Sequence, residues 1–197
     1  MRHAPATLRN REPILAVLGR ALPKEGLLLE IASGTGEHAA FVVPRLPDIV
    51  WQPSDRDPAA LPDIDDVAQF EKCDRIRPAI ALDASAAEWP VERADAVFCC
   101  NMIHIAPWNA AEGLFAGASR ILPAGAPLIL YGPFKRHGAH TAPSNETFEK
   151  WLREQDRRYG VRCLDTQVAP LAERNGFALD EIIEMPANNL TVVWRRI

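Results

Sequence analysis

The chain has 197 residues, 48% hydrophobic and 24% charged, with a net charge of −4 at neutral pH. That length suits one α/β domain with its own core, and the acidic balance removes any general attraction for phosphate backbones, so no nucleic acid duplex is expected as a partner. No apolar run approaches the roughly 18–20 residues of a membrane span, and the opening MRHAPATLRNREP lacks the apolar centre of a secretory signal.

Ile14, Leu15, Val17, Leu18 and Leu22 recur at helical spacing and predict a helix over 13–22, with Pro13 tolerated in its first turn. Arg9 and Asn10 then fall in a polar segment before it. A strand follows over 27–32, then a Gly-containing turn and a short helix through 40–43 that Pro44 and Pro47 close. Residues 48–51 form a second strand ending near Pro53, Ser54 and Asp55. Residues 58–72 read as a weakly patterned helix, 79–82 as a third strand ending at Asp83, and 94–100 (ADAVFCC) as a fourth with Asn101 at its end.

In 109–122, Leu114, Phe115, Ala118, Ile121 and Leu122 share one helical face; 127–131 is a fifth strand ending at Tyr131. Residues 135–143 (KRHGAHTAP) read as a loop. A helix is predicted over 144–159 with Phe148, Trp151 and Leu152 inward and Arg153, Arg157 and Arg158 on a solvated face. Asp165 is expected to cap a further helix through Arg174, which Asn175-Gly176 terminates. FALDEIIEM and LTVVWRRI, joined by PANN, form a hairpin.

Short apolar strands alternating with helices mean a parallel sheet covered on both faces, to which the hairpin adds an antiparallel strand. The expectation is an α/β fold: a doubly wound, Rossmann-like, seven-stranded sheet in a single domain over 1–197, with 1–12 able to cover the site. Cys73, Cys99, Cys100 and Cys163 form no CxxC pair and read as reduced thiols of a cytosolic protein, neither a disulfide frame nor a metal site. The five tryptophans show no stacking ladder for bases and read as core or rim.

Ligands of such sheets lie beyond the carboxyl ends of the strands, near the switch in strand order. That makes Glu30, Asp55, Asp83, Asn101 and Tyr131 the residues to interpret. Gly34-Thr35-Gly36-Glu37-His38-Ala39 fits GxGxxA, and Asp55 lies 19 positions beyond Gly36 (55 − 36), near the roughly 20 expected of the acid that takes ribose hydroxyls in a dinucleotide site. The loop alone therefore leaves a nicotinamide cofactor open. Glu30 shifts the balance. A carboxylate in an apolar strand is costly to bury unless something pairs with it; a diphosphate would add negative charge beside it, whereas S-adenosylmethionine brings an ammonium and a sulfonium.

LLLEIASGTG resembles the first motif of the class I S-adenosylmethionine-dependent methyltransferases, with Asp55, Asp83 and Asn101 at the later strand ends of that pattern. RNREPIL, EIASGTGEHA, WQPSD, NMIHIAPW, YGPF, SNETFE and MPANNL together resemble an uncharacterised family of methyltransferase-like proteins, the methyltransferase-like-twenty-six type, over Arg9 to Leu190. Ala32 departs from the superfamily, where glycine is common. The resemblance implies the fold and the cofactor, and no substrate.

The cofactor-binding candidates are Glu30, Ala32, Ser33, Gly34, Gly36, Asp55, Arg56, Asp83, Asn101 and Met102, with Asp57 the alternative to Asp55, and Asp83 a helix cap as readily as a ligand group. His104 and Tyr131 are the catalytic candidates, as general base or hydrogen-bond donor. Arg9, Asn10, Asn145, Asn188 and Asn189 are the candidates for a lid or substrate wall. His38 reads as a surface or helix-packing residue. The expected activity is methyl transfer from S-adenosylmethionine to an N, O or S atom of a small molecule, with no membrane partner; oligomeric state is not legible. The rivals are a non-catalytic binding module and a nicotinamide-dependent oxidoreductase.

Overall fold

The computed structural model describes residues 5–70 and 73–197, so the first four residues of the covering segment and the end of the helix expected over 58–72 lie outside the described residues. In chain order the elements are α1 (Pro5–Ala21), β1 (Gly26–Ile31), α2 (Glu37–Val42), β2 (Ile49–Asp55), α3 (Leu61–Phe70), β3 (Ile80–Ala81), β4 (Ala96–Cys100), α4 (Trp108–Ile121), β5 (Pro127–Gly132), β6 (Lys135–Arg136), β7 (Ala139–His140), α5 (Pro143–Gln155), α6 (Ala169–Arg174), β8 (Phe177–Met185) and β9 (Asn189–Arg196). Seven strands form one sheet in the order β3-β2-β1-β4-β5-β9-β8. It is parallel from β3 to β5, then antiparallel through β9 and β8, the doubly wound sheet with a closing hairpin expected from the sequence.

Alternation along the strands divides the core in two. Leu28, Phe98, Ile129 and Val193 pack with Ile14, Val17 and Leu18 of α1, while Leu29, Val97, Leu128 and Trp194 pack with Leu114 and Phe115 of α4. Burial on both faces is why these strands are continuous apolar runs rather than alternating ones. Among the described residues no helix is long and apolar enough to cross a membrane.

Four expectations change. The first helix begins at Pro5 and contains Pro13, so Arg9 and Asn10 lie within it. Its buried positions Thr7, Asn10, Ile14, Val17 with Leu18, and Ala21 recur every three or four residues; the inward stripe simply continues through two polar residues. Residues 135–143 are not all loop: Lys135 pairs with His140 and Arg136 with Ala139. His137 (φ 50°) and Gly138 (φ 83°) at the tip have the left-handed backbone of a tight hairpin.

Helix α5 stops at Gln155, and its buried residues are Asn145, Glu149 and Leu152, while Trp151 is 52% exposed. Asp165 caps no helix. It lies inside a π-helical turn (Leu164–Val168), where its carboxylate accepts from the Arg136 guanidinium at 3.1 Å and the His137 amide at 2.6 Å. Asn175 and Gly176 (φ 74°) end α6 as expected, and the four cysteines are free.

Glu149 ties α5 to the small hairpin. Its carboxylate meets Lys135 Nζ at 2.7 Å, His140 Nε2 at 2.7 Å and an Arg153 nitrogen at 2.9 Å. Burial alone would raise its pKa, but the hydrogen bonds from Lys135 and Arg153 hold it below the ordinary carboxylate value. Its contribution is therefore present above the unfolded carboxylate pKa and lost as pH falls through the folded one. Glu149→Gln is expected to lower unfolding stability by about 2 kcal/mol at pH 7, with the difference from wild type shrinking in acid; urea denaturation at several pH values measures both.

Candidate active site

The ends of β1, β2, β3, β4 and β5 open onto one edge of the sheet, and antiparallel β9 starts there, since Gly132 pairs with Leu190. β1 lies between β2 and β4, so the chain leaves it toward both sides and strand order reverses at that point. The β1–α2 loop sits over this reversal.

Strand β1 ends at Ile31, one residue earlier than expected, because Ala32 turns to φ 60°. Gly34 (φ 60°) and Gly36 (φ 73°) share that left-handed geometry. A side chain on Gly36 would come within 3.1 Å of Ile64 in α3, whereas one on Gly34 would meet nothing within 4 Å. Gly36 thus serves packing, and Gly34 presents bare backbone to open space. Its amide donates to Asp55 Oδ2 at 3.1 Å. Ser33 is locked to β2, its amide donating to the Ser54 carbonyl at 2.8 Å and its hydroxyl accepting from the Ser54 amide at 3.1 Å.

Glu30 is in phase with Leu28 and lies under this loop, 1% exposed. Trp51 Nε1 donates to its carboxylate at 3.0 Å. Burial pushes its pKa up to about 7, against the pull of hydrogen bonds from Ser33 and Trp51. His38 Nδ1 stands 3.7 Å from Glu30 Oε1, beyond hydrogen-bond reach. Burial lowers the His38 pKa to about 4, so the two groups are close without being an ion pair at neutral pH. His38 Nε2 meets Asn10 Oδ1 at 3.1 Å, and its ring stands edge-on to Phe98. The loop, the sheet and α1 are thereby joined through one buried histidine.

Two cavities flank Ile105 above the strand ends, and a third, about 690 Å³, adjoins the first at Gly34 and Asp55. The first, about 450 Å³, is lined by Ala32, Gly34, Asp55, Arg56, Asp83 and Met102 among others. Asp55 also accepts from the Asp57 amide at 3.1 Å, and Asp57 itself caps the next short helical turn. Asp83 accepts from the Ser85 amide at 2.8 Å and hydroxyl at 2.7 Å. The Ser85 hydroxyl, then its amide, lower the Asp83 pKa, with Arg56 adding to the effect. It therefore both caps its turn and lines the cavity. Glu30, Ser33 and Gly36 are not among this lining; they shape the loop from below.

Arg158 and Tyr159 complete the first cavity, and neither was among the sequence candidates. They follow α5, and their position depends on Arg162, which donates to the Ile103 carbonyl at 2.9 Å and the Ala106 carbonyl at 2.8 Å. No local motif announces so distant a tether.

The second cavity, about 630 Å³, is lined by Arg9, Asn10, Asn101, Tyr131, Asn145 and Asn189, with Phe148 and Trp151 among its apolar members. Ile105 borders both cavities. Asn101 (φ 63°) ends β4 in a left-handed conformation and starts the turn between them. Asn188 does not line this space; its amide donates to Ser144 Oγ at 3.1 Å and its carbonyl accepts from Asn145 at 2.9 Å. Tyr131 lies against Arg9 and Asn10, and burial first, then the neighbouring Cys100, raise its hydroxyl pKa to about 12. It is a neutral donor.

His104 stands apart from the site and is corrected as a base candidate. It is 0% exposed and lines neither cavity. Nδ1 accepts from the Arg162 amide at 3.1 Å, and the ring packs edge-on against Phe134. Burial, then nearby Arg162, take its pKa down to about 3.

A family model described as protein of unknown function (DUF938) matches residues 1–196. The chain belongs to the DUF938 family. Solved structures similar to this DUF938 chain include an O-methyltransferase family protein from Burkholderia thailandensis (TM-score 0.81, 16% identity, 97% of this chain and 57% of that one). Human N-acetylserotonin methyltransferase in complex with SAM is another (TM-score 0.78, 13% identity, 97% and 52%). A third is an O-methyltransferase family 2 protein from Planctomyces limnophilus in complex with apigenin (TM-score 0.76, 19% identity, 96% and 62%). The DUF938 chain thus spans little more than half the length of these proteins, and the likeness is one of fold.

Two outcomes follow for the loop. A glycine at an ordinary backbone angle costs roughly 0.5–1 kcal/mol relative to alanine, but the left-handed region is strained for alanine. Ala32→Gly is therefore expected to leave the urea midpoint unchanged or raised, and a fall would contradict the φ of this residue. For Glu30, the folded pKa exceeds its ordinary value, so the folded state holds the extra proton and stability falls as pH rises from about 4.5 through 7. Glu30→Gln, facing the same Trp51, Ser33, His38 and Asp55, removes this dependence. It is expected to gain on wild type across that window by up to about 3 kcal/mol, read from unfolding curves of both proteins at matched pH.

Proposed function

We propose that the chain is an S-adenosylmethionine-dependent methyltransferase acting on an N, O or S atom of a small molecule. The reading is carried by two cavities that share Ile105 at the reversal of strand order, one bearing Asp55 and Asp83 and the other free of carboxylates among the described residues. A cofactor and an acceptor need adjoining spaces that meet where the methyl would stand, and Ile105 borders both. Both volumes fall in the roughly 300–1,000 Å³ of small-molecule sites.

The residues of the first cavity fit the cofactor. Gly34 leaves room where a side chain would project, Asp55 would take the ribose hydroxyls, and Asp83, its pKa lowered by Ser85, would accept from the adenine amine. Met102 and Tyr159 supply apolar contact. When bound, the cofactor supplies an electrophilic methyl on a sulfonium. The chain's task is then to hold an acceptor in line with it, and such positioning accounts for about 7–11 kcal/mol of barrier in well-oriented systems. Glu30 acts through its field from beneath the loop, its proton leaving more readily when positive charge arrives above.

A dinucleotide suits the site less well. Helix α2 has six residues and begins with Glu37, and the Gly36 amide is already spent on the Ser33 carbonyl at 3.0 Å. A phosphate would find little there of the free amides and dipole that helix starts offer anions. The sheet also ends in an antiparallel hairpin instead of the parallel sixth strand of the dinucleotide fold. Free thiols suit a reducing, cytosolic setting.

Titration calorimetry with S-adenosylmethionine and with NAD tests the cofactor directly: heat is expected from the first and none from the second. Asp55→Ala is expected to weaken cofactor affinity about 10–100-fold while leaving the unfolding midpoint close to wild type, since this side chain is only partly buried. Unchanged affinity would refute the ribose assignment. Methyl-labelled cofactor incubated with a metabolite extract tests turnover; cofactor binding with no labelled acceptor would mark a non-catalytic module.

A further inference from the structure

The second cavity has a charge opposite to that of the chain. Arg9 is its one charged lining residue, and among the described residues neither a carboxylate nor a histidine lines it, although the whole chain carries −4. Three of the carboxamides around it are occupied by partners other than a ligand. Asn145 donates to Thr141 at 3.1 Å and to the Asn188 carbonyl at 2.9 Å. Asn189 donates to the Pro186 and Ala187 carbonyls at 3.1 and 3.3 Å. Asn10 is committed to His38 and reaches the Tyr131 hydroxyl.

What is left to face a ligand is the Arg9 guanidinium, the neutral Tyr131 phenol and the Asn101 carboxamide, whose nitrogen donates to Cys100 Sγ at 3.5 Å. Nothing in this lining takes a proton near neutral pH. One wall is aromatic: Phe148 and Trp151 stand nearly parallel, 16° apart with centroids at 5.9 Å, and Trp151 is 52% exposed at the rim. An indole left half in water beside a cavity suits a planar ligand that would cover it.

We propose that the acceptor is a planar aromatic compound that arrives already ionised, as a carboxylate, thiolate or acidic phenolate, with Arg9 as its counter-charge and the Phe148–Trp151 pair as the shelf for its ring. This rests on the methyl-transfer reading above. The acceptor anion forms the new bond to the methyl carbon as the carbon–sulfur bond breaks, sulfur keeping the electron pair. No proton is released, and no base is required. Anion and sulfonium neutralise each other on the way, so any water the ring displaces on binding favours the step.

Binding of simple probes to the intact protein tests this without turnover or cofactor. Benzoate is expected to bind more tightly than benzyl alcohol. Arg9→Gln should weaken benzoate about tenfold and leave benzyl alcohol unchanged, with Arg9→Lys keeping part of the preference. Trp151→Ala should weaken both probes together. 4-Nitrophenol, followed by the absorption of its phenolate, should show an apparent pKa lowered by about one unit when bound to wild type and not when bound to Arg9→Gln. Equal binding of benzoate and benzyl alcohol, a nitrophenol pKa that stays put or rises, or no binding of either probe overturns the proposal. A protein that prefers benzoate through Arg9 yet gives no heat with S-adenosylmethionine would overturn the cofactor reading instead, so the two failures are distinguishable.

Discussion

A carboxylate withdrawn from water costs several kcal/mol unless donors reach it, and Glu30 is withdrawn almost completely. Its accommodation organises the neighbourhood. Trp51 comes from β2 to donate to it, Ser33 from the loop above, and His38 from α2 stands alongside. Each of those residues is then held in turn: Ser33 by Ser54, and His38 by Asn10 of α1. One buried acid thus ties together the two strands beside the strand-order reversal, the loop over it and the helix that covers that face. The loop's height and the direction of the Gly34 amide follow from this.

The two cavities inherit their difference from that arrangement. The loop side is bounded by Asp55 and Asp83, each taking up backbone amides, which fixes their direction; the Ser85 hydrogen bonds also hold the Asp83 pKa down. The far side is bounded by α1, α5 and the start of β9, whose carboxamides are held by His38, Thr141 and backbone carbonyls. Glu149 holds α5 against the β6–β7 hairpin through Lys135 and His140, and α5 carries Asn145, Phe148 and Trp151 into the wall. The loop after α5 puts Arg158 and Tyr159 beside the other cavity. A shift of this one helix would therefore alter both chambers.

His38 and His104 show where reading a chain as text falls short. Both follow strand ends, and both are buried histidines with lowered pKa values. One links the loop to α1; the other is sealed behind Gly132, where an added methyl would come within 2.6 Å of its ring. Position just after a strand made His104 the catalytic candidate, but the packing of Phe134 and Arg162 around it puts it in the core. Asn10 illustrates the reverse case. It is in register with Ile14 and Val17, but a polar residue in an apolar stripe does not count toward an apolar pattern.

Periodicity, strand-end carboxylates and the glycine loop are local properties, and they determined the seven strands of the main sheet, the closing hairpin and the residues Gly34, Asp55 and Asp83 at the cleft. They could do so because a doubly wound sheet brings the ends of its parallel strands to one edge whatever the intervening loops contain. Only the tertiary structure decided that Glu30 lies beneath the loop, that His104 is core, that Trp151 faces out and that Arg158 and Tyr159 reach the first cavity. Each of those depends on contacts between segments far apart in the chain, such as Arg162 gripping the Ile103 and Ala106 carbonyls, and such contacts leave no periodic trace in the residues that make them.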